Sequence, residues 1–445
     1  MILKTNLFPY QQEAVEKLLP LRIGALYMEM GTGKTRTALE IIKARLDKKK
    51  LDKVLWLCPC SVKANLRADL DKHAEDWADL IRIEGIESLS SSDRLYLDLM
   101  RYITEKTMVI VDESNLVKNF FAKRTKRITE LGKTARYRMI LNGTPVSKNE
   151  ADLYAQWYFL DRRIFGYRTF WSFAANHLEK DEYGKVRRVL NVDYLTEKIK
   201  PYSVVKKKRD VLDLPKKAVS RSFFWMTYSQ RMHYEDVADE MLLQVDEADE
   251  STLYRTFTAL QLITSGRRIL STKKPLKSAP FFDNAEDNPR IQLLLDELSG
   301  MKGKVIIWIK FNHEADDIRQ ALPDGSSALF TGAVPLKKRL KELERFRTDD
   351  SCRYLIANKV CGGYGLNLQF CHQAIYYNND WTFSTRQQSE DRIYRFGQEH
   401  KVKICDIVAN AKIDERIIHC LDRKESLCES FKASLREKKG KEFLT

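Results

Sequence analysis

Short apolar runs alternate with segments of helical periodicity in two parts of the chain. The first part extends to about residue 160, and the second begins near Asn288. Continuous apolar runs between helices are typical of parallel sheets that are covered on both faces. The runs that predict buried strands are residues 23–27, 54–57, 108–111 and 139–141 in the first part and residues 305–309, 355–357, 374–377 and 402–407 in the second. The pattern therefore predicts an α/β fold with two parallel-sheet lobes.

Between these parts, helical spacing is combined with many aromatic side chains. Helical segments are predicted at residues 150–160, 229–245 and 251–263, which indicates a helical insertion rather than more sheet. The mixture of Lys, Pro, Asp and Asn at residues 271–288 is typical of a linker. The aromatic residues could stack on nucleic-acid bases or form an apolar helical core, and the core is the favoured alternative.

The length of 445 residues is too great for one hydrophobic core and suits two or three domains. The division predicted from the patterns is a first lobe at 1–165, helical protrusions and a linker at 166–285, and a second lobe at 286–445. The second lobe is expected to end in a short basic tail at residues 436–441 that frays.

Composition constrains the partners and the location. The chain has 43% hydrophobic and 31% charged residues, and no apolar stretch approaches the roughly 20 residues that a membrane span requires. The N-terminus lacks the layout of a signal peptide, so we expect a cytoplasmic protein without a membrane partner. A net charge of +15 favours a polyanionic partner, although a solvated basic surface is the alternative. The eight cysteines show no Cys-x-x-Cys spacing, which predicts reduced thiols and no zinc module.

Residues 28–35, Met-Glu-Met-Gly-Thr-Gly-Lys-Thr, lie between the first predicted strand and a helical segment. A loop that joins a strand to a helix directs backbone N–H groups, such as that of Thr32, and the helix N-terminus at one point, which suits a polyphosphate. Gly31 and Gly33 let the backbone approach the phosphates. Lys34 is expected to reach the β- and γ-phosphates, and the Thr35 hydroxyl to bind Mg²⁺. An ordinary loop is the alternative, since the usual first glycine is Met28 here.

Two acidic residues, Asp112 and Glu113, follow the predicted strand at 108–111. A buried strand delivers them to the C-terminal edge of the sheet, beside the phosphate loop. Asp112 is expected to bind Mg²⁺ and Glu113 to activate the attacking water. An acidic strand end in plain solvent is the alternative, and the preceding phosphate loop makes it the weaker one.

A further motif, residues 388–398, contains Gln388, Arg392 and Arg395. On a helix the two arginines are three positions apart and share a face. Guanidinium groups carried by a different lobe are what an arginine finger requires, and they complete a site only when the lobes close. A solvated basic helix is the alternative.

Together these motifs resemble those of the Swi/Snf-type branch of the superfamily 2 helicase-like ATPases, in a minimal form without accessory domains. The stretches that carry the resemblance follow the order of the family and are residues 7–11, 57–61, 112–119, 141–145, 208–215, 362–368 and 388–398. The resemblance implies two RecA-like lobes of the P-loop NTPase type, with ATP and Mg²⁺ as cofactors. It also implies that Gln11 contacts the adenine, that Gly365 belongs to the nucleotide site, and that Gln388, Arg392 and Arg395 are catalytic.

The sequence departs from the family at several positions. Asn115 and Asn142 replace a histidine and a threonine through which the family couples ATP to nucleic acid, so we expect altered coupling rather than its loss. The motif at 362–368 lacks the preceding serine or threonine, and only the aromatic Trp381 is kept from the family's Trp-Asn-Pro.

The nucleic-acid contacts are expected at polar, basic and aromatic positions of both lobes, and a solvated surface role is the alternative for each. These positions are Ser61, Lys63, Lys310, Asn358, Lys359 and Trp381. The charge run at residues 206–209 either contacts DNA or forms a solvated hinge.

The leading hypothesis is a DNA-stimulated ATPase that hydrolyses ATP to ADP and phosphate to translocate on duplex or branched DNA. We expect a prokaryotic or viral protein of replication, repair or defence, with a targeting protein as partner. One alternative is a strand-separating, fork-regressing or annealing helicase, in which an aromatic residue at 160–180 serves as a pin. The other is a nucleotide-switched DNA-binding clamp without productive hydrolysis. The sequence leaves RNA open as a track.

Overall fold

The computed structural model describes residues 2–143, 150–180, 186–245, 250–359, 367–437 and 439–445. The chain forms two compact units, Met1–Asp213 and Leu214–Thr445. Each unit is built around a six-stranded parallel sheet. Among the described helices, none is long and apolar enough to cross a membrane.

The strands of the first unit are β1 (Ile23–Met28), β2 (Lys53–Cys58), β3 (Ile81–Gly85), β4 (Thr107–Asp112), β5 (Tyr137–Asn142), β6 (Leu178–Lys180), β7 (Val186–Val189) and β8 (Ser203–Lys206). Strands β6 and β7 form an antiparallel pair. The other six form the parallel sheet in the spatial order β3-β2-β4-β5-β1-β8. Since all six are parallel, their carboxyl ends lie along one edge, and only β5 separates β1 from β4 at that edge.

The helices of the first unit cover both faces of its sheet. They are α1 (Pro9–Leu18), α2 (Lys34–Asp47), α3 (Lys63–Ala74), α4 (Ser88–Ser91), α5 (Asp93–Tyr102), α6 (Lys123–Thr134), α7 (Leu153–Asp161), α8 (Phe170–His177), α9 (Val192–Ile199) and α10 (Lys208–Val211). Leu26 and Met28 belong to one core, whereas Ala25 and Tyr27 belong to the other. The indole Nε1 of Trp157 in α7 donates to the Tyr27 hydroxyl at 3.0 Å. A strand that is buried on both faces explains the continuous apolar run.

The strands of the second unit are β9 (Lys217–Phe224), β10 (Arg267–Ser271), β11 (Lys277–Pro280), β12 (Val305–Ile309), β13 (Ser327–Phe330), β14 (Tyr354–Asn358), β15 (Gln373–Tyr376) and β16 (Val402–Ala409). The parallel sheet has the order β13-β14-β12-β15-β16-β9, and β10 and β11 form an antiparallel pair. Its helices are α11 (Tyr228–Leu242), α12 (Glu250–Thr264), α13 (Pro289–Ser299), α14 (Asn312–Ala321), α15 (Leu336–Thr348), α16 (Phe383–Glu390), α17 (Lys412–Arg423), α18 (Leu427–Arg436) and α19 (Gly440–Leu444).

The predicted fold class, α/β with two parallel-sheet lobes, is confirmed. Each of the eight predicted strands is present, and the three helical segments of the middle region correspond to α7, α11 and α12. The apolar-core alternative holds for Trp157 and Phe173, which are fully buried, but Trp171 is 64% exposed.

The middle region is not purely helical, and this differs from the prediction. Strand β8 extends the first sheet and β9 extends the second, so the chain divides after Asp213 rather than at 165 and 285. Residues 271–288, expected as a linker, contain β11.

The expected frayed tail is wrong for the described residues near the C-terminus. Helix α19 includes Gly440 and Lys441 from the end of the basic stretch, and it buries Phe443 and Leu444, which pack into the core of the second unit.

Candidate nucleotide-binding and hydrolysis site

The phosphate loop lies between β1 and α2, as predicted. Gly31 and Gly33 have φ angles of +82° and +84°, in the left-handed region that favours glycine. A Cβ on Gly33 would lie 2.1 Å from Nε2 of Gln11, so the Gln11 side chain would have to move to make room for any larger residue. The backbone N–H and the hydroxyl of Thr32 both donate to the carbonyl of Glu29, at 3.2 and 2.7 Å. The loop therefore has a defined conformation of its own.

Two side chains at the start of α1 hold this loop from outside. The Tyr10 hydroxyl and Nε2 of Gln11 both donate to the carbonyl of Thr32, at 2.9 and 3.0 Å. Oε1 of Gln11 accepts the backbone N–H of Phe8 at 2.9 Å. Both ends of the Gln11 amide are thus engaged with the protein, and Gln11 positions the loop in this structure.

The start of α2 is open to an anion. Gly33 precedes the helix, and no side chain in the described parts of the chain caps its first N–H groups. Uncapped N–H groups at a helix N-terminus favour negative charge. Nζ of Lys34 donates to the carbonyl of Met28 at 2.8 Å, so it folds back over the loop, while Thr35 is partly exposed.

The predicted acidic pair lies at the end of β4. Glu113 has a left-handed backbone (φ 48°, ψ 54°), and its N–H donates to Oδ1 of Asp112 at 2.9 Å. Burial, followed by the charge of Glu113, raises the pKa of the Asp112 carboxyl to about 6, and the charge of Lys34 opposes the rise. The structure therefore brings the loop lysine and the two acids together at one sheet edge.

Directly after the acids, a short helical turn, Ser114–Val117, is fixed to α7. The Ser114 hydroxyl donates to Oε1 of Gln156 at 2.5 Å, and Nε2 of Gln156 donates to the carbonyl of Asp152 at 2.9 Å. Gln156 is only 1% exposed. Sequence reasoning missed this support, because a single glutamine in an aromatic helix carries no local signal for it.

The prediction that Arg392 and Arg395 share a helix face is wrong. Helix α16, which carries the exposed Gln388, ends at Glu390, and both arginines lie in the turns that follow. The helix does not continue because the backbone after Glu390 forms hydrogen bonds with residues 367–371: the carbonyl of Arg392 accepts the N–H of Leu368 at 3.1 Å. Nε2 of Gln398 also lies 3.0–3.1 Å from three carbonyls, two of which belong to Gln369 and Cys371.

The two arginines have different surroundings. Arg392 is 4% exposed, whereas Arg395 is partly exposed and donates through Nη1 to Oδ1 of Asn367. Gly365, which was expected in the nucleotide site, lies outside the described residues, as do Thr144 and Pro145.

Two family models match complementary parts of the chain. The SNF2-related domain matches residues 68–274, and the helicase conserved C-terminal domain matches residues 289–397. The chain belongs to the SNF2-type helicase-like ATPases. A third model, the res subunit of type III restriction enzymes, matches residues 4–79, which include the phosphate loop.

Two of the relatives with similarity along most of the chain are named as helicases. An uncharacterized ATP-dependent helicase of Mycoplasma genitalium is 25% identical, covering 95% of this chain and 42% of the relative. A putative ATP-dependent helicase/translocase of Bacillus subtilis is 24% identical, covering 95% and 48%. The chain thus spans less than half the length of these curated relatives. A solved SWI2/SNF2 ATPase core of Sulfolobus solfataricus, in complex with double-stranded DNA, covers 98% of this chain and 94% of its own at 21% identity and a TM-score of 0.43.

Two departures from the SNF2-type motifs lie beside the acids. Asn115 is in the turn after Glu113. Asn142 ends β5, is 4% exposed, and accepts the N–H of Gly143 through Oδ1 at 2.8 Å. The Asn142 side chain therefore pairs with the first backbone N–H after β5.

The nucleic-acid candidates of the second unit lie close together, but the amines of the two lysines among them donate to groups of the protein rather than to solvent. Nζ of Lys310 donates to Oε1 of Gln261 and lies 3.3 Å from the centre of a Trp381 ring. Lys359 is 5% exposed and donates to the carbonyl of Asn378. Burial lowers the pKa of Lys310 to about 8 and that of Lys359 to about 7. A solvated surface role is wrong for Lys359 in this structure.

The remaining candidates support this arrangement or lie in the first unit. Nδ2 of Asn358 donates to the carbonyl of Lys310 at 3.0 Å. Ser61 is exposed in the turn after β2, and Lys63 pairs with Glu84 at 3.0 Å. The nucleic-acid role of all six candidates stays a prediction.

Proposed function

We propose that this chain hydrolyses ATP to ADP and phosphate and uses the cycle to translocate on duplex DNA. The observation that carries the proposal is the meeting of the open α2 N-terminus and Lys34 with Asp112 and Glu113 at one sheet edge. Membership of the SNF2-type ATPases supports it, and the Bacillus subtilis relative is named as a helicase/translocase.

The residues at this edge fit a magnesium ion. Two adjacent carboxyl groups lie at the end of β4, and the raised pKa of Asp112 reflects negative charge that is held in a buried place. A bound divalent cation would favour the charged form of such a carboxyl. In the proposal Asp112 and the Thr35 hydroxyl hold Mg²⁺, which supplies neutralisation of charge on the phosphate oxygens.

The protein groups have separate tasks in this proposal. The N–H groups of the loop residues Gly31 to Thr35 bind the phosphates, and Lys34 exchanges the Met28 carbonyl for a phosphate oxygen. Glu113 orients the attacking water and accepts its proton. Gln11 contacts the adenine, because its side-chain amide can make four hydrogen bonds and its two bonds to the backbone of Phe8 and Thr32 use only two of them.

The second unit supplies the positive charge that hydrolysis needs. Arg392 and Arg395 act as arginine fingers with Gln388 beside them, and Arg395 leaves Asn367 to do so. The proposal also assigns Gly365 to this site, on the resemblance alone. Alternation between ATP-bound and nucleotide-free states moves the chain only if the two states differ in affinity for DNA.

The experiment compares ATP turnover with duplex DNA, single strands, forked DNA and RNA at several salt concentrations. We expect duplex DNA to stimulate turnover most, and the stimulation to weaken as salt rises, because a chain of net charge +15 binds mainly phosphates. Turnover that is indifferent to duplex DNA would refute the proposal. Greater stimulation by RNA would assign a different track.

Strand separation is the second candidate, and one observation favours it. Trp171 and Phe121 are 64% and 48% exposed, and their rings lie 5.7 Å apart. Nζ of Lys180 lies 5.5 Å from a Trp171 ring, so the pair carries positive charge beside an aromatic surface that can stack on bases. Trp171→Ala should abolish unwinding of a forked duplex, whereas Trp225→Ala, at an aromatic that is 74% exposed in the other unit, should not. No unwinding by the unaltered chain would exclude this candidate.

A targeting protein remains part of the proposal, together with a role in replication, repair or defence. Site-specific DNA binding by the purified chain alone would contradict the need for such a partner.

A further inference from the structure

Glu29, the residue directly after β1, links the phosphate loop to the segment through which the chain leaves the first unit. Its Oε2 accepts the backbone N–H of Lys208 at 2.8 Å. Its own N–H donates to the carbonyl of Lys206 at 3.1 Å. Lys206 ends β8, Lys208 begins α10, and the first unit ends at Asp213. Glu29 therefore contacts both the end of β8 and the start of residues 207–213, which we call the exit segment.

Glu29 also determines the shape of the loop. Its carbonyl accepts the N–H and the hydroxyl of Thr32, at 3.2 and 2.7 Å. The preceding carbonyl, that of Met28, accepts Nζ of Lys34 at 2.8 Å. A phosphate that draws Lys34 away removes the hydrogen bond on the Met28 carbonyl, which belongs to the peptide group that joins Met28 to Glu29. The change reaches the exit segment because the Glu29 carboxylate accepts the N–H of Lys208.

The end of β8 and the exit segment are also held in place by their lysines. Nζ of Lys206 pairs with Oε2 of Glu13 in α1 at 2.6 Å. Lys208 is 6% exposed. A solvated hinge, one of the two alternatives for this charge run, therefore does not describe Lys208 in this structure.

We propose that Glu29 is a positioning residue that transmits the nucleotide state of the phosphate loop to the exit segment. The inference rests on the proposed function in one respect, since it assumes that nucleotide binds the loop. Such coupling is reciprocal, so the conformation of the exit segment also changes nucleotide affinity. Because the chain continues into the second unit, the exit segment is where that unit is attached.

The test removes the hydrogen bond from the exit side. Lys208→Pro deletes the N–H that Glu29 accepts, and proline is tolerated at the first position of a helix. Lys207 already has the extended backbone that precedes proline (φ −91°, ψ 144°). Lys208→Ala is the matched control, because it loses the same side chain and keeps the N–H.

The measurement is amide hydrogen exchange at residues 205–212 of the full chain, with and without a non-hydrolysable ATP analogue and Mg²⁺. We expect the analogue to slow exchange about tenfold in the unaltered chain and in Lys208→Ala, and not in Lys208→Pro, as the loss of a charge-assisted hydrogen bond predicts. Equal slowing in both variants would overturn the inference. So would an unaltered chain that binds the analogue without any slowing.

A second pair of variants acts from the loop side. Glu29→Gln keeps an acceptor oxygen and should retain the response of the exit segment, whereas Glu29→Ala should lose it. A merely structural role would lower the unfolding temperature without this pattern of rescue. Loss of the response in Glu29→Gln together with its retention in Glu29→Ala would also overturn the inference.

The outcome for translocation is read separately, from DNA-stimulated turnover of the unaltered chain. Absent stimulation with intact slowing refutes translocation and leaves the Glu29 link standing. DNA-stimulated turnover without slowed exchange in the exit segment supports translocation and overturns the Glu29 link. A chain that binds no nucleotide overturns both proposals.

Discussion

Replacing Gly33 by alanine probes the phosphate loop where the structure leaves no room. The alanine would have to adopt a left-handed backbone, because φ is +84° at this position. That conformation costs about 1–2 kcal/mol for a residue with a Cβ. The new Cβ would also lie 2.1 Å from Nε2 of Gln11 and displace it from the Thr32 carbonyl. Loss of that hydrogen bond costs about 1 kcal/mol, so we expect the first unit to lose about 2–3 kcal/mol of unfolding free energy.

Gly166→Ala is the matched control. Its φ is +77°, and a Cβ there meets no atom within 4 Å, so it carries the backbone cost alone. Urea denaturation followed by hydrogen exchange resolves peptides of the first unit and measures both variants. We also expect Gly33→Ala, but not Gly166→Ala, to weaken binding of an ATP analogue.

The part that depends on Gln11 is isolated by a double-mutant cycle. Gln11→Ala should relieve the clash, so its effect in the Gly33→Ala background should be smaller by about 1 kcal/mol than in the unaltered chain. Equal destabilisation by the two glycine variants, together with additivity of Gln11→Ala, would contradict the clash between a Cβ at position 33 and Gln11.

Three further outcomes are expected. Glu113→Gln should lower ATP turnover by about 10²–10⁴-fold with analogue affinity nearly unchanged, because an amide cannot accept the proton of water; near-normal turnover would contradict the assigned base. We expect kcat to fall by about 10³-fold in each of Arg392→Ala and Arg395→Ala, with a smaller change in KM for ATP. Arg423→Ala, at an exposed arginine, is the control. Equal effects in all three variants would contradict the assignment of Arg392 and Arg395 as arginine fingers. Burial lowers the pKa of Lys359 to about 7, so between about pH 7 and pH 10 the unfolded state holds a proton that the folded state lacks, and stability rises with pH. Lys359→Met should remove this slope, at most about 1.4 kcal/mol per pH unit, in urea denaturation at pH 7 and 9; identical pH dependence in both chains would contradict it.

The strands that the sequence pattern revealed are those that are buried on both faces. The four strands of the two parallel sheets that it missed, β3, β8, β9 and β13, are the edge strands of those sheets. An edge strand needs no continuous apolar run, and β3 alternates buried Ile81 and Ile83 with the charged Arg82 and Glu84. Because β8 and β9 are edge strands without a continuous apolar run, the sequence pattern also missed that the boundary between the units lies after Asp213.

The site was predictable where chemistry and spacing are local. Lys34 begins the helix after β1 and Asp112 ends β4, so the parallel sheet brings them to one edge. The path of the chain at Arg392 depends on bonds to residues 367–371, and the inward amine of Lys310 depends on Gln261, far away in sequence. Helical spacing and charge do not reveal such long-range partners.

Translocation on duplex DNA can be measured as displacement of the third strand from a DNA triplex, because a translocase on the duplex removes that strand without opening a fork. We expect the chain to displace the third strand with ATP and Mg²⁺, but not with a non-hydrolysable analogue, and we expect no displacement by the Glu113→Gln variant. Duplex-stimulated ATP turnover by the unaltered chain with no displacement of the third strand would contradict translocation on duplex DNA.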